Sequence, residues 1–89
     1  MTVLIGYDLN RPGQDYSDLS AKIKSFGAWW HCLDSTWIVK TELAPVQVRD
    51  ALLPLLDAND EVFVVDITGQ AAAWVGFKDN CQTWLKDNL

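Results

Sequence analysis

The segment Val3-Leu4-Ile5-Gly6-Tyr7-Asp8-Leu9-Asn10 constrains the fold most, because it reads as a strand that is apolar on both faces of its pleat. Alternate residues of a strand point to opposite sides, so Val3, Ile5 and Tyr7 share one face and Leu4 takes the other. Such a strand needs cover on both sides. It also delivers a carboxylate, Asp8, to its end, just before the loop Arg11-Pro12-Gly13-Gln14. Glu61-Val62-Phe63-Val64-Val65-Asp66-Ile67 repeats the pattern, with Val62 and Val64 opposing Phe63, Val65 and Ile67.

Between these strands the apolar spacing changes period. Tyr16, Leu19, Ile23 and Phe26 recur at helical intervals, with Asp15 or Ser17 placed to cap the first turn and Gly27 to stop the last. Ala28-Trp29-Trp30-His31-Cys32-Leu33 and Thr36-Trp37-Ile38-Val39-Lys40-Thr41 read as two strands of an antiparallel hairpin joined through Asp34-Ser35. Pro45 suits the first turn of a second helix, whose stripe is Val48, Leu52, Leu55 and Leu56, and Pro54 predicts a bend or an early end. The order βαββαβ predicts an α+β fold of the ferredoxin-like type: a four-stranded antiparallel sheet with two helices on one face.

Residues 1–67 make this core, and residues 68–89 extend the same domain. Ala71 to Phe77 suits a fifth strand or an extended arm, and Lys78 to Leu89 a short helix with Cys81, Trp84 and Leu85 on one side. With two helices covering one sheet face, the other carries more apolar surface than a monomer usually exposes. This favours a homodimer through the open face or the arm over the alternative, in which the tail helix folds back within one chain.

At 89 residues and 49% hydrophobic, the chain is sized for one core and is too apolar for disorder. No window approaches the roughly 18 to 20 apolar residues of a membrane span, and no basic leader precedes the first strand, so the expected location is cytoplasmic with no membrane partner. Seven basic residues against twelve acidic ones give a net charge of -5, which disfavours nonspecific nucleic-acid binding. Cys32 and Cys81 match no metal-ligand spacing and can pair only if the fold joins them; two separate buried thiols are expected.

The strand ending Tyr7-Asp8-Leu9, the helix closed by Gly27, the hairpin Ser35-Thr36-Trp37 and the acidic turn Asn59-Asp60-Glu61 before Val62-Phe63-Val64 come in a characteristic order. Together they resemble the CRISPR-associated Cas two-like family, with its virulence-associated protein D and SinR-like relatives, over about residues 2 to 67. The resemblance implies a ferredoxin-like homodimer in nucleic-acid processing or defence. Some members are metal-dependent endonucleases and others noncatalytic scaffolds. It also implies that Asp8 is the catalytic residue and the ligand of Mg²⁺ or Mn²⁺, with the two Asp8 side chains of a dimer sharing one cation. A hard cation takes carboxylate oxygens and activates the attacking water for phosphodiester hydrolysis.

The chain departs from that family in two places. Arg11 is the only basic residue near Asp8, and Leu33 stands where the family often has Gln. Tyr7, Asn10, Arg11, Ser35, Asp60 and Glu61 are accessory candidates, with Asp60 and Glu61 able to approach Asp8 across the sheet. Trp29, Trp37 and Trp74 are candidates for stacking on a ligand or lining an interface, although core packing is the simpler role for them. His31 has no nucleophile motif around it and reads as structural, and Asp66 as a strand-edge charge. A noncatalytic module that binds a protein or nucleotide is the competing function.

Overall fold

The computed structural model describes residues 1–89. Its elements are β1 (Thr2–Asp8), α1 (Ser17–Lys24), β2 (Trp29–Leu33), β3 (Thr36–Lys40), α2 (Pro45–Leu52), β4 (Glu61–Asp66) and α3 (Asp79–Asn88), with a 3-10 turn at Leu53–Leu55. The four strands form one antiparallel sheet in the order β2-β3-β1-β4. β1 is therefore central, as its two apolar faces require.

One face of the sheet carries the larger core. Val3, Ile5, Trp37 and Val39 meet Leu19 and Ile23 of α1 and Val48 and Leu52 of α2. The cause is local: each helix presents apolar residues three to four positions apart, and each strand presents alternate ones. Asp15 accepts the Ser17 N–H at 2.8 Å, which satisfies a free amide at the start of α1. At α2, Pro45 occupies the first turn and the Gln47 side chain accepts the Ala44 N–H at 2.8 Å. Pro54 lies in the 3-10 turn, so the α-helix ends at Leu52 as its missing amide hydrogen demands.

On the opposite face Trp30 and Ile38 pack against Cys81 and Leu85 of α3, with Leu4, Ile67, Trp74, Phe77 and Trp84 around them. The tail thus folds back over the sheet within one chain, the alternative the sequence ranked second to dimerisation. Residues 71–77 form no fifth strand and run as an arm into α3. Coverage is incomplete: Phe63, which lies opposite Gly6 on the face of Leu4, stays 65% exposed.

Two separate thiols are not what the structure contains. Cys32 and Cys81 form a disulfide that ties β2 to α3 across a separation of 49 residues. Trp29 and Trp30 do face opposite sides, with Trp30 buried and Trp29 43% exposed. The hairpin turn at Asp34-Ser35 contains no residue of positive φ, and a register shift between Trp30 and Leu33 takes up the twist that tight two-residue turns usually absorb.

No helix is long and apolar enough to cross a membrane.

Candidate functional site

Two regions collect the candidate residues. The first is the acidic end of β1. Asp8 and Glu61 are register partners across β1 and β4, and both are exposed. The Asn10 side chain spans this end: its amide nitrogen donates to the Asn59 carbonyl at 2.8 Å and lies 3.5 Å from Glu61 Oε1. Asp8 contributes only its backbone carbonyl, a weak acceptor for Asn10 at 3.4 Å.

Asp60 has a different role from Asp8. Its carboxylate accepts the Asn10 N–H at 2.8 Å, the Asp57 N–H at 2.7 Å and the Tyr16 hydroxyl at 2.8 and 2.9 Å. It therefore pins the loop after β1, the start of α1 and the turn before β4 to one another. Arg11 reinforces the joint through an ion pair with Asp57 at 2.8 Å. Partial burial pushes the Asp60 carboxyl upward, but the two amides, the Tyr16 hydroxyl and the Arg11 charge outweigh it and hold the group below the ordinary 3.8. Desolvation and the adjacent Asp60 together push the Tyr16 hydroxyl up.

The sign of the pH effect follows. A carboxyl depressed in the folded state stabilises the fold above its unfolded pKa, and that contribution disappears as pH falls through the folded value. Wild-type protein should therefore lose more thermal stability on acidification from pH 5 to below about pH 3 than Asp60→Asn does. Parallel melting-temperature curves for the two proteins over that interval would contradict the assignment.

The acidic end offers a metal ion two exposed carboxylates, Asp8 and Glu61, while the third, Asp60, is fully engaged within the fold. No group of three or more His, Cys, Asp or Glu side chains is placed to hold a metal ion. Mg²⁺ keeps several waters and tolerates few protein ligands, so Asp8 and Glu61 are the residues that would hold it here. Tyr7 and Ser35 support the strand end. The Tyr7 N–H donates to the Ser35 carbonyl at 3.1 Å, and the Tyr7 hydroxyl accepts the Trp37 indole N–H at 3.0 Å.

The aromatic candidates divide by face. Trp37 is buried and stacked by His31, with ring centroids 3.7 Å apart and planes 15° from parallel. His31 also contacts the Asp34 carbonyl through Nε2 at 3.2 Å, which suits a structural histidine. Trp29 leans on Trp37 from the rim, under the Lys24 ammonium at 4.9 Å. Trp74 lies on the other side of the sheet, in the arm. Asp66 accepts the Thr68 N–H at 2.9 Å and is a local turn charge.

The second region was not legible as a site in the sequence. A groove of about 360 Å³ runs between the arm and the α3 side of the sheet. Leu4 and Ile38 form its floor, Ala72 and Trp74 one wall, and Leu85 and Leu89 another; none of its lining residues is charged. A wider cleft of about 690 Å³ adjoins it along β2, where Cys32 and Cys81 sit beside His31 and Lys78. Only the apolar character of Ala71 to Phe77 hinted at this, and it does not distinguish an arm from a strand.

Comparison with known proteins adds no family: no family model matches the chain, and no curated protein matches it.

Proposed function

We propose that the chain is a ferredoxin-like, Cas two-like protein of nucleic-acid processing or defence that works as a noncatalytic, protein-binding module in the cytoplasm. The strand order β2-β3-β1-β4, with α1 and α2 on one face, supports the ferredoxin-like reading. The observation that carries this reading is the groove between the arm and the sheet, whose lining side chains include no charged group. The uncharged groove is the binding surface. A nucleotide phosphate finds no cation there, whereas apolar side chains of a protein partner fit its volume and lining.

Filling the groove tests this. Ala72→Trp should reduce capture of a partner from host lysate by tenfold or more relative to wild type. Nucleotides should leave the melting temperature unchanged. Equal capture by both proteins, or a nucleotide-specific rise in melting temperature, contradicts the proposal.

One observation favours a second reading: Asp8 and Glu61 face one another across the ladder with their carboxylates exposed. A homodimer that joined two such ends would double the hard-oxygen ligands, and a bound Mg²⁺ or Mn²⁺ would supply Lewis-acid activation of water. Its signature is metal-dependent phosphodiester cleavage that Asp8→Ala abolishes.

A further inference from the structure

We infer that the Cys32–Cys81 disulfide is a thiol-controlled latch, holding the arm and α3 in place as the walls of the groove until a dithiol reductant releases them and dismantles it. The inference rests on the groove being the binding site and adds what keeps that site assembled.

The arm is weakly held. No backbone N–H from Ala71 to Phe77 donates a hydrogen bond to another backbone group. α3 is tied to the sheet by two hydrogen bonds, from the Trp30 indole to the Cys81 carbonyl and from the Thr2 hydroxyl to the Asn88 carbonyl, both 3.1 Å. Its buried apolar residues are Cys81 and Leu85, and one of these is the crosslink itself. A helix of ten residues is marginal without tertiary support, and the covalent tie reinforces the packing of Leu85 and Trp84 against the sheet.

The bond is also reachable. Both sulfurs belong to residues lining the wide cleft along β2, and Cys32 is the less buried of the two. A reductant thiolate attacks Cys32 Sγ, forms a mixed disulfide there and displaces Cys81 as the thiolate. Cys81 lies in the first turn of α3, where free amides favour that negative charge. The second thiol of the reductant then displaces Cys32. Two electrons and two protons pass from the dithiol to the protein, leaving two thiols and an oxidised reductant. In a reducing compartment, a disulfide of this kind serves sensing rather than permanent stapling.

Amide hydrogen exchange of the full chain, with and without dithiothreitol, tests the latch. On reduction, the amides of Leu85 and Lys86 should exchange about a hundredfold faster or more, while Ile5 and Ile38 in the sheet remain protected. Cys32→Ser should show the fast α3 exchange already without reductant and no further response to it. The latch is overturned if α3 and sheet amides keep the same relative protection in both states, or if the reduced chain keeps no protected amide at all. This readout needs no ligand, so it separates failure of the latch from failure of the groove, which equal capture by Ala72→Trp would show.

Discussion

Replacing Trp37 with alanine should cost about 4 kcal/mol of folding free energy, the range for removing a large aromatic side chain from a packed core. The ring is 1% exposed and sits among Val3, Ile5 and the α1 and α2 side chains. Its removal also takes away the surface on which His31 stacks and the donor to the Tyr7 hydroxyl. An alanine cannot refill that volume, so a cavity adds to the lost transfer energy. Urea unfolding measures the change; a loss below about 1 kcal/mol would mean that Trp37 is not the core residue it is placed as. Trp29→Ala, at the exposed rim, should cost far less.

A single methyl group at Gly27 should be nearly as damaging, about 3 kcal/mol. The residue has φ +149°, a conformation that side chains rarely adopt, and an added Cβ would lie 2.0 Å from the Lys40 carbonyl oxygen. That oxygen belongs to the end of β3, whose Lys40 N–H donates to the Ala28 carbonyl at 2.8 Å. Gly27→Ala therefore has to push β3 away from the start of β2, and no flexible side chain can yield instead. Thermal and urea unfolding should both register the loss. Wild-type stability in Gly27→Ala would contradict the close approach.

These two positions also mark what was readable in the chain. The Pro54 boundary and the opposed faces of Trp29 and Trp30 follow from backbone and pleat geometry that act locally, so spacing reveals them, whereas α1 ends at Lys24, three residues before the stop expected at Gly27. The central place of β1 follows from its two apolar faces. What failed was information that exists only after folding. Cys32 and Cys81 carry no signal of proximity across a sequence separation of 49, and only the return of α3 over β2 brings them together. The same return changed the meaning of the open sheet face, because the chain covers much of it with its own tail. Asp60 shows a further limit: in sequence it is one more acid beside Glu61, and only its three donors, from Asn10, Tyr16 and Asp57, reveal a structural hub. The groove was hidden because alanine-rich arms and strands share composition.

The noncatalytic reading is tested most directly by incubating purified wild type and Asp8→Ala with single- and double-stranded DNA and RNA, each with Mg²⁺ or Mn²⁺. The expected result is no metal-dependent cleavage above a no-protein control in either protein. Cleavage by wild type that chelation stops and Asp8→Ala lacks would contradict the account and assign metal-dependent catalysis to Asp8.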